Sequence, residues 1–270
     1  MKSLLEYLHE NPITATAHAV SPRKLIAYRT GESPLHKKIV SYLPTIPEPT
    51  PADRILIIVP HKDDETLAAA GYMQRAISFG ATIHVVMATD GNKRGKKVQR
   101  KREVTEALRC CGLSDSAISF YNFPDGSLHR YAQPLGEQLE AEVRAFIPTI
   151  IIVTDPLDTH PDHAVLGRIV QKIADEGLLP LCRTFASLIH FTRFPRPLGH
   201  LPAAFMVPPK HLRGLPGWCS FSLNDAEQQV KLRAIRVYKS QLITPFLRGL
   251  MFSFDRKNEL FRELYKGGGA

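Results

Sequence analysis

Two fully apolar runs, far apart in the chain, each end in a cluster of histidine and aspartate, and this coincidence leaves little freedom of fold. Residues 55–59 read Ile-Leu-Ile-Ile-Val, a strand with apolar side chains on both faces, as a parallel sheet buries them. Pro60 stops the run. His61, Asp63, Asp64 and Glu65 follow, and then a helical pattern carries Leu67, Ala68, Ala70, Gly71, Ala76 and Ile77. Residues 149–154 (Thr-Ile-Ile-Ile-Val-Thr) form the second run. It leads through Asp155-Pro-Leu-Asp-Thr to His160-Pro-Asp162-His163, and a helix follows through Ala164, Val165, Ile169, Val170 and Ile173. Acidic residues are favoured at helix starts as caps and against the macrodipole, so Asp63-Asp64-Glu65 taken alone is as well explained by structure as by chemistry. Two such clusters are not. In a parallel sheet both strand ends lie on one edge, where open α/β sheets bind their ligands.

Between and around these runs the pattern alternates. Strands are expected at about 55–60, 82–88, 117–122 and 149–154, with helices at about 64–79, 98–111, 133–146 and 162–176. Further strands are expected near 185–191 and 203–207, a helix over about 225–240 opened by Asn224 or Asp225, and a last short helix near 256–265. Regular βα alternation predicts an α/β, Rossmann-like three-layer fold, with a mostly parallel sheet flanked by helices. A dinucleotide reading of that fold fails on chemistry. The first turn carries His-Lys-Asp-Asp where glycines must let backbone approach a pyrophosphate, and two carboxylates repel phosphate. Residues 1–50 stand apart as an N-terminal extension. Leu4, Leu5, Tyr7 and Leu8 suggest a short amphipathic helix, and the run from Pro44 to Pro51 reads as an extended proline-rich connector. The main domain is read as 51–270, with a glycine tail at 267–269.

The formal charge of +9 raises nucleic acid, anionic membranes and acidic substrates as partners. Much of the excess is local, in Lys93, Arg94, Lys96, Lys97, Arg100, Lys101 and Arg102. No aromatic residues interleave there for base stacking and no nucleic-acid motif is visible, so no nucleic-acid partner is expected. Such a run is by default a solvated face; the sharper alternative is a rim that attracts an anionic glycan or lipid-linked sugar. Cys110, Cys111, Cys182 and Cys219 form no C-x-x-C pair, which argues against a cysteine metal site and fits a reducing, cytoplasmic setting. Charge interrupts the N-terminus before a secretory h-region forms, and no apolar run is long enough for a transmembrane segment.

Pro60-His-Lys-Asp-Asp-Glu65 resembles the PHPDDE signature, and His160-Pro-Asp-His163 the HPDH signature, of the PIG-L/LmbE-like zinc-dependent N-deacetylases. Thr89-Asp-Gly91, Arg100 with Glu103, Pro124-Asp-Gly-Ser127, Tyr238-Lys-Ser-Gln241 and Asn258-Glu-Leu-Phe261 resemble flanking signatures of the family, so that the likeness spans residues 53–265. Lys62 departs from it, standing where the family usually has proline. That position is not a ligand, so zinc binding should survive; the loop loses rigidity, and a cation is expected near the site mouth.

Spacing says only that His61 and Asp64 can converge on one ion across a tight turn. The resemblance supplies the division of roles. It implies His61, Asp64 and His163 as ligands of a catalytic Zn2+, and Asp63 as the general base. It implies His160 as the residue that stabilises the oxyanion and helps protonate the leaving amine, with Asp162 orienting it or holding it charged. Arg100 and Asp125 are implied as binders of sugar hydroxyls. Glu65 stays open between a helix-start role and a supporting one, and His190 reads more readily as a core histidine than as part of the site. The implied activity is removal of an N-acetyl group from an N-acetylated amino sugar or its conjugate, of the N-acetylglucosamine type. A zinc amidase acting on another N-acyl group is the rival enzyme. A non-catalytic carbohydrate-binding relative is the rival of another class, and it would have no need of a base. The partner is thus a small molecule or glycoconjugate bearing an N-acyl amine, with peripheral membrane contact left open.

Overall fold

The computed structural model describes residues 33–92, 95–192 and 194–267. The expected N-terminal helix, the start of the basic run at 93–94 and the end of the glycine tail lie outside the described residues. The core of the fold is a seven-stranded sheet. Its strands are β1 (Arg54–Val59), β2 (Thr82–Thr89), β3 (Ile118–Phe123), β4 (Ile150–Thr154), β5 (Arg183–Ser187), β6 (Trp218–Ser222) and β7 (Asn258–Tyr265), in the order β3-β2-β1-β4-β5-β7-β6. The first five in space run parallel, and β7 is antiparallel to both neighbours. The helices are α1 (Pro34–Ser41), α2 (Asp64–Ser78), α3 (Lys97–Cys110), α4 (Ala132–Phe146), α5 (Pro161–Asp175), α6 (Asp225–Val237) and α7 (Pro245–Phe252).

The two-sided apolar strands explain the three layers. Successive side chains of a strand point to opposite faces. Ile55, Ile57 and Val59 join one core with α2, α3 and α6, whereas Leu56 and Ile58 join the other with α4 and α5. Ile150 and Ile152 divide from Ile151 and Val153 in the same way. β1 and β4 are direct parallel neighbours, with Ile55 opposite Ile150 and Ile58 opposite Val153. The chain leaves β1 toward β2 on one side and β4 toward β5 on the other, so the strand order reverses between them. That reversal opens a crevice at their carboxyl ends, and both His/Asp clusters begin there.

The C-terminal third departs from expectation. The strand near 203–207 is absent; Ala204 and Met206 are buried in irregular chain. Pro202, Pro208 and Pro209 bracket the segment and deny it ladder donors. Its backbone is served instead by the Asn258 side chain, which accepts from Met206 N at 2.7 Å and donates to Met206 O at 3.0 Å. The helix expected near 256–265 is strand β7. Its Glu, Leu and Arg favour helix, yet it is hydrogen-bonded between β5 and β6 with Leu260 and Phe261 fully buried, so tertiary pairing overrides propensity. Strand β6 and helices α1 and α7 were not expected, although Thr244 caps α7 and Pro245 opens it. Asn224 is the cap of α6, in a reciprocal capping box with Glu227. The proline-rich connector lies against the fold. Thr45 bridges Ser220 in parallel, Ser220 N donates to Pro44 O at 2.9 Å, and Ile46 is buried.

Phe261→Ala should cost about 3–5 kcal/mol in chemical denaturation, the usual range for emptying a buried aromatic site. A loss below about 1 kcal/mol would mean that β7 is not a core strand.

Candidate metal centre and active site

Each cluster is held by its own turn. After β1 the chain reverses through Asp63, whose φ of 149° is unusual for a residue with a side chain. Such strain persists only where neighbours over-determine it. The Asp63 N–H donates to Glu65 Oε2 at 3.1 Å, and Glu65 Oε1 accepts from Thr66 Oγ1 at 2.6 Å and from the Tyr238 hydroxyl. Glu65 is therefore a structural clamp, with Tyr238 reaching in from the end of α6. Glu103 performs a similar task one turn along α3, accepting from Ser240 N and Ser240 Oγ and so fixing the loop that follows α6.

Across the crevice three donor atoms close a triangle. His61 Nδ1 lies 3.2 Å from Asp64 Oδ2 and 3.1 Å from His163 Nε2, and His163 Nε2 lies 3.1 Å from Asp64 Oδ2. Ligand bonds of about 2.0–2.2 Å would space donors by roughly 3.0 Å at octahedral angles and about 3.4 Å at tetrahedral ones, so the triangle fits one divalent cation. The outer nitrogens support the same reading. His61 Nε2 faces Asp162 Oδ2 at 3.2 Å, and His163 Nδ1 faces Asp158 Oδ2 at 3.2 Å. A carboxylate behind each imidazole keeps the proton on the outer nitrogen and turns the inner lone pair toward the centre. Looser donor groups share these atoms: His61, His160 and His163, or Asp64, His163 and His190, each come within 4.8 Å of one another.

The electrostatics ask for positive charge at the centre. Burial opposes charge on His163, yet Asp64 and Asp158 outweigh it and lift the imidazole to about 10. Burial alone would raise Asp64, but His163 and His61 hold it well below the usual carboxylate range. Asp63 behaves differently from its neighbour. Burial pushes its carboxyl up to about 7, against Arg100 and with the help of Asp64. Its nearest ionic partner is Arg100 Nη2, at 3.5 Å. Two adjacent aspartates thus sit in opposite environments, one tied into the triangle and one facing the cavity.

His160 is the N-cap of α5 and accepts from Asp162 N through Nδ1 at 3.2 Å. As a neutral ring it therefore carries its proton on Nε2. Burial and the imidazoles of His61, His163 and His190 lower it to about 4, so it is a neutral donor. The expectation that Asp162 orients or charges His160 is not met. The Asp162 carboxylate serves His61 and the N–H groups of Gly126 (2.7 Å) and Leu128 (3.0 Å), and only its backbone meets His160. Arg100 and Asp125 do reach the site. Arg100 is buried rather than solvated, with Nη1 at 3.5 Å from Asp125 Oδ2, and Asp125 Oδ1 lies 3.4 Å from His61 Nε2. Arg100 Nε and Asp125 Oδ2 are buried without a hydrogen-bond partner, Asp125 Oδ2 meeting Arg100 only through that ion pair. Lys62 is not at the mouth. It is 1% exposed and donates to Thr89 O at 2.9 Å, and burial and Arg100 lower it to about 8. Its ammonium thus ties the first turn to the turn after β2.

One participant, Asp158, escaped the sequence reading, and another, His190, stands at the site where a core position is the readier expectation. Asp158 accepts from His160 N, Ile189 N and His190 N as well as facing His163. The signal was a carboxylate five residues before His163 on the same turn. His190 lines the cavity, its ring 4.9 Å from that of His163. The cavity, about 210 Å³, has a polar wall of Asp63, Lys96, Arg100 and Asp125 facing an aliphatic wall of Leu67, Ile243, Leu247 and Leu250.

Residues 56–174 match the model of the PIG-L family, described as GlcNAc-PI de-N-acetylase. A probable N-acetyl-alpha-D-glucosaminyl L-malate deacetylase 2 from Bacillus cereus is 28% identical over 132 residues, covering 44% of this chain and 59% of that protein. The chain thus spans less than two thirds of the length of this curated relative. Among solved structures, the N,N'-diacetylchitobiose deacetylase from Pyrococcus horikoshii superposes with a TM-score of 0.59 at 21% identity, over 91% of this chain and 93% of that one. The 4-carboxy-2-hydroxymuconate hydratase from Pseudomonas putida superposes with a TM-score of 0.51 at 18% identity, over 74% and 82%. The shared architecture thus hosts more than one reaction, and function has to be argued from the site.

Asp158→Asn should weaken divalent-metal binding about 10–100-fold, as loss of a carboxylate behind a ligating imidazole does. Chelator competition measures it; unchanged affinity would remove Asp158 from the metal centre.

Proposed function

We propose, from the premise that residues 56–174 belong to the PIG-L/LmbE-like family of de-N-acetylases, that this chain is a zinc-dependent amide hydrolase. It removes the N-acetyl group from an N-acetylated amino sugar or its conjugate, of the N-acetylglucosamine type. One observation carries the proposal: a triangle of three donors, each imidazole backed by a carboxylate, lies beside a separate aspartate that faces the cavity. A binding module would have no use for that second aspartate.

His61, Asp64 and His163 would hold the ion. Bound there, zinc supplies a Lewis acid for the acyl oxygen and makes a water a better nucleophile near neutral pH. The chain's own residues do the rest. Asp63, raised toward neutrality by burial, takes the proton from the attacking water, a role that typically contributes about 10²–10⁴-fold. His160 donates from Nε2 to the acyl oxygen as charge develops there, and as the C–N bond breaks the proton taken by Asp63 passes to the leaving amine with the help of His160. Asp162 holds the tautomer of His61, as Asp158 does for His163. Arg100 and Asp125, which line the cavity, receive sugar hydroxyls. The aliphatic wall of α7 and Leu67 packs against the rest of the substrate and excludes water. Among the described residues no helix is long and apolar enough to cross a membrane. The four cysteines are unpaired, which supports the cytoplasm as the working compartment.

The test separates base from ligand within one dipeptide. Asp64→Ala should lose zinc and activity together. Asp63→Asn should keep zinc and lose roughly two to four orders of magnitude in kcat with little change in KM. Zinc stoichiometry and acetate release from a panel of N-acetylated amino sugars are measured on both variants. If both keep zinc and turnover, the hydrolase reading fails; if Asp63→Asn alone loses zinc, the two roles are exchanged.

A further inference from the structure

Helix α2 is broken one turn beyond the metal triangle. Ala69 has φ −145° and ψ 18°, and the helix divides into a first piece, Asp64 to Ala68, and a second from Ala70 to Ser78. In an unbroken helix Gly71 N would donate to Leu67 O, and Tyr72 N to Ala68 O. Here a buried ion pair is inserted into that rung. Gly71 N donates to Glu259 Oε1 at 2.8 Å and Tyr72 N to Glu259 Oε2 at 2.9 Å. Lys231 Nζ lies 2.7 Å from Glu259 Oε1 and donates to Leu67 O at 2.9 Å. The path runs from the N–H of Gly71 through carboxylate and ammonium to the carbonyl of Leu67. Both charged side chains are fully buried.

The polarity is the one that two helix ends require. The cation caps the carbonyl end of the first piece and the anion caps the N–H end of the second. A first piece of five residues is too short to hold its own direction. What fixes it are its two ends: the Asp63 turn at the start and the Lys231 contact to Leu67 at the finish. Leu67 N donates back to Asp63 O at 3.0 Å, so the two fixings share one turn of backbone. At the break, Gly71 lets α2 lie close to Leu223, whose Cδ2 would stand 2.2 Å from an added Cβ.

We infer that the Lys231–Glu259 pair, carried by α6 and β7, is a positioning device: it holds the break in α2 and thereby aims the first turn, with Asp64 at its start, at His61 and His163. The inference rests on the metal reading given above. It predicts that the pair acts on metal affinity, not merely on stability. A pair acting only as a structural brace would lower the melting temperature and leave the folded protein's affinity for zinc unchanged.

The test measures the zinc dissociation constant by chelator competition, and thermal melting in parallel, for the wild type, Glu259→Gln and the double variant Lys231→Met with Glu259→Gln. The double variant leaves no lone buried charge, whereas Glu259→Gln alone leaves the buried Lys231 ammonium without its anion and offers one acceptor oxygen to N–H groups that now meet two. Glu263→Gln serves as a control, because it breaks the neighbouring pair with Arg183 on the same strand without touching α2. The expected result is at least tenfold weaker zinc binding in both pair variants and wild-type affinity in the control. Wild-type affinity in a double variant that melts lower overturns the inference and leaves the metal reading intact. A wild-type protein that binds no zinc overturns both.

Discussion

The parallel pairing of β1 with β4 is the contact on which the site depends. It brings together two turns about a hundred residues apart in sequence. With Ile58 opposite Val153, the turns that follow leave from the same edge, and His61 and Asp64 meet His163 at donor spacing. The strands hold this register because each is apolar on both faces and is covered by helices on both. A slip of one residue would exchange every side chain between the two cores. Bulk packing thus sets the positions of atoms that must agree to within a few tenths of an ångström.

Burying so many charges is costly unless each is paired, and the pairing decides which group does what. Asp64, Asp158 and Asp162 are spent on imidazoles and backbone N–H groups. Glu65 is spent on the strained Asp63 turn and Glu103 on the loop at Ser240. Lys62 and Lys231 are spent on backbone carbonyls. What lines the cavity beside the triangle is a short polar set: the Asp63 carboxylate, His160, and the side chains of Arg100 and Asp125. That set is what the proposed hydrolysis of an N-acyl sugar calls for: a base, a neutral donor and groups for hydroxyls.

Much of this was legible in the sequence. Ile55–Val59 and Ile150–Val153 could be read as buried strands because nothing polar interrupts them, and the motifs at their ends marked the site. Arg100, implied as a sugar binder although it stands in a basic run, is buried because its helical position, not its neighbours' charge, decides its direction. Asp162 is expected from the resemblance to serve His160, yet at the start of a helix its carboxylate meets His61 and the N–H groups of Gly126 and Leu128 instead. Asp158 offered only its place five residues before His163, and the Lys231–Glu259 pair could not be read at all, since its partners are defined only by the folded backbone. β7 was misread because propensity is a weak prior for a strand locked between two others. The ligand assignment itself came from family resemblance, and spacing alone would not have separated Asp63 from Asp64.

The most direct test of the central claim is an anomalous diffraction experiment at the zinc edge on crystals of the full chain grown with zinc. The account predicts one principal peak, about 2 Å from His61 Nδ1, Asp64 Oδ2 and His163 Nε2, with the Asp63 carboxylate outside bonding distance. A principal peak coordinated by His160 and His190, or by Asp63 in place of Asp64, would contradict it.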